Sequence, residues 1–370
     1  MASIKIIFVI NVDFSLHHFL LPLMRAARLR GHDVLAACAP GPMLALARAE
    51  GFRVIEIPLS RGLSPRAHIS ALRALVWLMR AEKPDLVHAH MPISGFLGRL
   101  AARITDVPRV AYTSHGFLFN QPGSVARRGG ALAAEFLAGR WTDIFLTVSE
   151  AEARDARWWR ISRSPMTVGN GRNPDIFRPN PENRAALRAA FGVPDNRVVI
   201  ITVARLVRHK GFSELAAAMA AVPGAELWVV GDRLPTDRGP DMETILRGAG
   251  LGDRLRLLGM RDDVPALLTA ADIFVLASQF EGLPMSVIEA MLSALPVVAC
   301  DIRGPREQVM VGQTGLLVPP ADAPALATAL RLLVDDPPLR IAMGAAGRLR
   351  AMQRYNEAAV LARTLDALGL

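Results

Sequence analysis

Two short segments in the second half of the chain carry residue types that could do chemistry together. Residues 203–211 read Val-Ala-Arg-Leu-Val-Arg-His-Lys-Gly, placing Arg205 and Lys210 in one loop. Two cations there can hold a diphosphate and stabilise it as it leaves. Taken alone, an arbitrary pair at this spacing reads as two surface basic residues. Residues 281–290 read Glu-Gly-Leu-Pro-Met-Ser-Val-Ile-Glu-Ala. Pro284 suits the first turn of a helix, where a missing N–H costs little. The backbone of Gly282, Leu283, Met285 and Ser286 would then form a helix N-terminus, a site that favours anions. Glu289, one turn in, could accept hydrogen bonds from ribose hydroxyls. Glu281, ahead of the helix, could reach sugar hydroxyls. The plainer readings are a helix-surface acid for Glu289 and a loop acid near the helix dipole for Glu281.

These loops need strands to hold them. Apolar or β-branched runs predict strands at 4–10, 34–37, 86–88, 109–112 and 144–148, then at 198–203, 226–230, 256–258, 273–276 and 296–299. Helical patterns fall between them, at 21–30, 67–81, 214–221 and 285–292. This alternation predicts parallel sheets covered by helices. It breaks once, at Gly169-Asn170-Gly171-Arg172-Asn173-Pro174, a loop or linker composition. Two Rossmann-like domains follow, at 1–170 and 171–354, with ligands expected in a cleft at the carboxyl ends of the strands.

Composition narrows the class. The chain has 370 residues, 51% hydrophobic and 21% charged, enough for sizeable cores. Two cysteines, Cys38 and Cys300, exclude a disulfide scaffold and a cysteine-built zinc site. No apolar run reaches the roughly 18 residues of a spanning helix. The net charge is +9, and all of it lies in residues 1–168, which hold 21 basic and 12 acidic residues; the remainder balances at 22 and 22. One-sided charge points to an anionic partner for the first half, or to a solvated surface in an arginine-rich chain. A nucleic-acid binder would need a recognition motif or an aromatic-rich basic groove. The chain has 6% aromatics and no such motif.

Taken together, these segments resemble the family-4 retaining glycosyltransferases, which have the GT-B fold. Glu281 and Glu289 match the family's E-x7-E pattern, and Arg205 and Lys210 stand where it has its diphosphate-binding pair. Residues 169–171 with Phe177 and Pro179 resemble its linker. Gly231-Asp232 matches its strand-end glycine turn, with Arg233 in place of the second glycine. Gly304-Pro305-Arg306-Glu307 resembles a further turn, and Gly315–Val318 with the final helices matches its end. The resemblance covers essentially the whole chain. It implies that the loop 260–264, with Arg261 and Val264, reads the nucleotide base, and that a helix at 355–370 crosses back to the first domain.

The first half narrows the match. Pro84–His90 and Gly98–Arg103 look like the first-domain signature, and Tyr112-Thr113-Ser114-His115-Gly116-Phe117-Leu118-Phe119 resembles the "TxHGFxF" segment of the capsule and lipid-linked-oligosaccharide subgroup. That subgroup includes N-acetylgalactosaminyl- and galactosyl-transferases acting on undecaprenyl-diphosphate sugars. By this resemblance His115 faces the donor sugar. Where many members have a Gly-Gly loop after the first strand, this chain has Asn11–His18. Asp13, His17 and His18 are its candidate acceptor-binding residues, with turn capping the other reading of Asp13.

The expectation is a two-domain transferase moving a sugar from a nucleotide-diphosphate sugar, UDP-linked, to a membrane lipid-linked saccharide in cell-surface polysaccharide synthesis. No cofactor and no metal are expected, since the cations supply the electrostatics. Rivals are a GDP-mannose or other-donor enzyme with a soluble acceptor, a sugar-nucleotide epimerase, and a nucleic-acid binder. The expected location is cytoplasmic, peripheral on the inner membrane. Ser64-Pro65 reads as a helix start, and Arg66, Arg73 and Arg80 recur every seven residues beside Trp77, a basic amphipathic pattern that suits a membrane interface or an ordinary surface helix. Arg157-Trp158-Trp159-Arg160 is a second basic–aromatic patch.

Overall fold

A computed structural model describes residues 3–59, 64–233, 237 and 239–370. The chain divides into two compact units: Met1–Gly169 with Ala359–Leu370, and Asn170–Ala358.

The first unit is built on seven parallel strands: β1 (Lys5–Ile10), β2 (Asp33–Cys38), β3 (Arg53–Glu56), β4 (Leu86–His90), β5 (Arg109–Ser114), β6 (Ile144–Thr147) and β7 (Met166–Thr167). Their order is β3-β2-β1-β4-β5-β6-β7. The central strands are apolar without alternation because both faces are covered. Ile6, Phe8 and Ile10 pack with Leu20, Met24, Leu365 and Leu368 on one face. Ile7 and Val9 pack with Leu75, Leu97 and Ala156 on the other. That second face carries helices Pro65–Glu82, Pro92–Ile104, Val125–Gly139 and Glu150–Trp158. The first of these starts as its residues dictate. The Ser64 side chain accepts from the Ala67 amide, and Pro65 occupies the first turn.

The second unit has six strands: β8 (Val198–Val203), β9 (Ala225–Val230), β10 (Leu255–Gly259), β11 (Ile273–Leu276), β12 (Val297–Cys300) and β13 (Gly315–Val318). Their order is β10-β9-β8-β11-β12-β13, all parallel. Strand order reverses between β8 and β11, as it does between β1 and β4 in the first unit. In open parallel sheets, ligands bind outside the carboxyl ends of the strands at such a reversal.

The sequence reading placed the long apolar strands well and missed β3, β7 and β13 as strands. β3 has four residues and β7 only two. The segment after β1 is helical: a turn at Asp13–Ser15 runs into a π-helical stretch, Leu16–Leu20, and then into helix Leu21–Leu29.

Candidate functional site

In the second unit, the loop after β8 meets the loop after β11. Gly211 is what lets them touch. Its φ is +73°, and an added Cβ would run into the Ala277 carbonyl. The Gln279 amide also donates to the His209 carbonyl (2.9 Å). This contact brings Lys210 Nζ to 2.6 Å from Glu281 Oε1, with the two side chains only 16% and 12% exposed. Sequence reasoning named both residues and gave them separate tasks; the structure makes them an ion pair at the strand reversal.

Arg205 lies on the same loop and pairs with Asp237 (2.6 Å). The β8 and β9 loops interlock, since the Leu206 amide donates to the Asp232 carbonyl (3.2 Å). Gly231 allows this, at φ +127° with the Ala204 carbonyl where a Cβ would be. The Asp232 carboxylate caps the Arg233 amide (2.6 Å). Arg233, which stands where a glycine was expected, donates to the carbonyls of Asp237 (3.0 Å) and Gly239 (2.9 Å). It thereby holds the backbone at Asp237, the partner of Arg205.

Helix Met285–Leu292 begins where the sequence placed it, with one correction. Pro284 is the residue just before the helix, with φ −64° and ψ 126°, and does not lie in its first turn. Its ring fixes the φ, while the extended ψ turns the chain into the helix. The first amides of any α-helix have no partner within it, so those of Met285 and Ser286 belong to an electropositive end. The approach to the helix is pinned on both sides. Asn170 donates to the Leu283 carbonyl (2.8 Å), and the buried Gln308 donates to the Pro284 carbonyl (2.9 Å). At Gly304 a Cβ would strike the Gly282 carbonyl and Pro284.

Glu289 is buried, and Arg172 donates to its Oε1 (2.6 Å). The sequence reading treated Arg172 as part of a linker. The linker residue Arg172 is itself held, its amide donating to the Tyr355 carbonyl (2.9 Å). Arg261 is bound to Asp263 through two hydrogen bonds (2.7 and 2.6 Å) at the mouth of helix Val264–Ala270. His209, half-buried beside Lys210, has its pKa lowered by burial and by that charge.

In the first unit, His115 follows β5 and contacts His90 at the end of β4, with Nδ1 of His90 3.1 Å from Nε2 of His115. His88 and His90 are two apart on one strand and therefore share a face. The His88 and His90 ring centroids are 4.0 Å apart, and both rings lie near Phe8. Burial pushes the pKa of His115 down to about 4 and that of His88 to about 3. His90 lies well below its ordinary value for the same reason. All three are neutral at pH 7. The segment after β1 also reaches this cluster, because Phe19 lies edge-on to His115 (5.7 Å). His17 and His18 sit on the π-helical stretch with ring centroids 4.7 Å apart, and His18 lies against Phe14 (4.2 Å). Asp13 takes the capping role: its Oδ1 accepts from the Phe14 amide (2.8 Å) and its Oδ2 from the Met43 amide (3.1 Å). Among the described residues, no group of three His, Cys, Asp or Glu side chains could hold a metal ion.

Comparison with known proteins agrees with this arrangement. Residues 18–175 match the family model described as Glycosyltransferase Family 4, and residues 183–350 match that of Glycosyl transferases group 1. The chain is 31% identical over 310 residues to the UDP-Gal:alpha-D-GlcNAc-diphosphoundecaprenol alpha-1,3-galactosyltransferase of Escherichia coli, covering 79% of this chain and 77% of that one. It is 29% identical over 346 residues to a GDP-mannose-dependent alpha-(1-6)-phosphatidylinositol monomannoside mannosyltransferase of Mycobacterium tuberculosis, covering 87% and 84%. Among solved structures, Anabaena HepE in complex with UDP and glucose superimposes with a TM-score of 0.85 at 22% identity, covering 99% and 100%. With two parallel-sheet units, charged loops at a strand reversal and this set of relatives, the chain belongs to the family-4 glycosyltransferases and has the GT-B fold.

Proposed function

We propose that this enzyme transfers a sugar, a hexose or N-acetylhexosamine, from a UDP-sugar to a lipid-linked saccharide with retention of anomeric configuration. The product belongs to a cell-surface polysaccharide such as lipopolysaccharide or capsule. The observation that carries this reading is the Lys210–Glu281 pair at the β8/β11 reversal, beside the N-terminus of helix Met285–Leu292. A diphosphate needs cations and free amides, and a sugar needs a carboxylate that accepts from its hydroxyls. Lys210 and Glu281 supply a cation and a carboxylate there, and the helix starts four residues after Glu281. The choice of UDP and of a lipid carrier follows the Escherichia coli relative, whose name states both.

The chemistry then divides among the chain's own residues. Lys210, Arg205 and the amides of Met285 and Ser286 stabilise the charge that builds on the departing diphosphate. Glu281 orients the sugar through its hydroxyls, and Glu289, oriented by Arg172, takes the ribose. Gly231, Asp232, Arg261 and Val264 line the nucleotide side. The leaving phosphate accepts the acceptor's proton. No divalent ion is needed, so turnover persists in EDTA.

The acceptor requires access to a membrane. No helix among the described residues is long and apolar enough to cross one. We place the enzyme as a peripheral protein on the cytoplasmic face of the inner membrane. The support is the outer surface of the helical layer on the first unit. There Trp77 is 70% exposed and Trp158 80% exposed, alongside exposed Arg66, Arg73, Arg80 and Arg157. Exposed tryptophan among arginines suits an anionic headgroup layer.

A donor screen by calorimetry, followed by product analysis with membrane lipid extract, tests the proposal. UDP-sugar binding and a labelled lipid product are expected. Binding of GDP-mannose alone, or transfer only to soluble sugars, refutes it. Cosedimentation with anionic vesicles should fall with salt and with the triple Arg66, Arg73 and Arg80→Gln change. Pelleting unaffected by both rejects this surface.

A further inference from the structure

The histidines at the ends of β4 and β5 hold more information than the position of one site residue. His90 is buried, and its Nδ1 is engaged with His115 while its Nε2 has no hydrogen-bond partner. His88 follows the same pattern. Its Nε2 is 2.7 Å from the Thr113 hydroxyl, and its Nδ1 is buried without a partner. A neutral imidazole has one N–H and one lone pair. A buried N–H without an acceptor is costly and rare, whereas an unused acceptor is better tolerated. The favoured arrangement therefore puts the His90 proton on Nδ1, where it is used, and leaves the lone pair on Nε2. His90 Nδ1–H then donates to Nε2 of His115. Having accepted there, the neutral His115 ring must carry its own proton on Nδ1.

We propose that His90 is a positioning residue that fixes His115 as the Nδ1–H tautomer, so that His115 meets the transferred sugar as a neutral hydrogen-bond donor to one of its oxygens. This rests on the reading of His115 as facing the donor sugar. Burial, which pushes the His115 pKa down to about 4, keeps the ring neutral through the working range and so keeps the tautomer defined. The role needs a hydrogen-bond donor at residue 90. An apolar residue of similar volume would fill the space and leave His115 free to choose its tautomer.

Long-range nitrogen–proton correlation spectra of the histidine-labelled, full-length protein report the tautomer of each ring directly. The chain has eight histidines, and the His115→Gln spectrum assigns the relevant signal. Wild-type His115 should show a protonated Nδ1 and a bare Nε2. His90→Leu should mix the two forms and lower kcat by roughly tenfold or more, because a misassigned tautomer disables a catalytic imidazole. His90→Gln, whose amide can donate to the same nitrogen, should restore the wild-type signature and most of the rate. A His115 ring protonated on Nε2 in the wild-type protein overturns the proposal. So does a His90→Leu variant with an unchanged His115 signature. Wild-type turnover in His115→Leu, which cannot donate a hydrogen bond, overturns instead the reading of His115 as a site residue. The two failures are distinguishable because the ring signal does not depend on activity.

Discussion

Replacing Glu281 by Gln should tighten the binding of UDP and slow transfer, two effects of opposite sign from one change. The Glu281 carboxylate holds Lys210 at 2.6 Å, in a site largely closed to water. A diphosphate oxygen that contacts the far side of the same ammonium would lie about 5 Å from that carboxylate. Two like charges at that separation repel by roughly 332/(20 × 5), or about 3 kcal/mol, at an effective dielectric constant near 20. Salt and the remaining exposure reduce this. About 1 kcal/mol surviving corresponds to roughly fivefold tighter UDP. Removing the carboxylate also leaves Lys210 without its partner before ligand arrives, which pushes in the same direction.

Transfer should nonetheless slow, because a neutral amide is a weaker acceptor for sugar hydroxyls than a carboxylate. Titration calorimetry with UDP at low and moderate salt, alongside steady-state turnover, reads both quantities. The affinity gain should shrink as salt rises. Lys210→Met provides the opposite limit. It should weaken UDP and lose about 100-fold in turnover, the usual cost of deleting one electrostatic donor to a leaving group. A folded Glu281→Gln enzyme that binds UDP no more tightly than wild type refutes the competition for Lys210.

Arg205→Ala should cost about 100-fold in kcat with a smaller change in KM, since its charge matters most as the diphosphate departs; a near-wild-type rate removes Arg205 from the site. Glu289→Ala should weaken UDP itself, and Arg172→Ala should produce a partial version of the same loss, because Arg172 orients that carboxylate (2.6 Å); calorimetry that shows Arg172→Ala alone to be silent rejects the coupling. Gly211→Ala should leave a folded protein that no longer binds UDP, since its Cβ would push apart the two loops that bring Lys210 to Glu281; retained affinity refutes the close approach. Stability should fall below about pH 6.5. His88, His90 and His115 all have folded pKa values lowered by burial, so between there and roughly pH 4 the unfolded chain binds more protons, and each histidine removes up to about 1.4 kcal/mol per pH unit. A melting temperature that is flat from pH 7.5 to 5 contradicts this.

What could be read from the chain divides along physical lines. β8 and β11 were placed end to end because each is an apolar run stopped by turn residues. β3 and β7 escaped because four and two residues carry too little pattern, and they exist through pairing with neighbours already in the sheet. The candidate charges were visible as residue types. Their partners were not, because Lys210 and Glu281 are 71 residues apart and Arg172 and Glu289 are 117 apart. Nothing local sets such pairings; strand order does. The π-helical stretch that carries His17 and His18 has no sequence signature of its own, and the capping bonds of Asp13 depend on where the chain returns at Met43.

The two units share a strand order and present opposite chemistry at the carboxyl ends of their strands. At the β8/β11 reversal the second unit sets a lysine and a carboxylate, with an arginine on the same loop and a helix N-terminus beside them. At the ends of β4 and β5 the first unit sets neutral imidazoles, kept uncharged by burial. Neutral rings cannot neutralise a departing diphosphate, so in the proposed reaction that work falls to the second unit, although its net charge is zero and all +9 of the excess lies in the first. The excess therefore has to serve something other than the strand-end chemistry. Many of its arginines, including Arg66, Arg73, Arg80, Arg127, Arg157 and Arg160, are exposed on the helical layer or just beyond it. Charge concentrated on an outer surface acts on whatever that surface meets; under the proposed function that partner is a bilayer of anionic lipid, whose attraction grows with each added arginine.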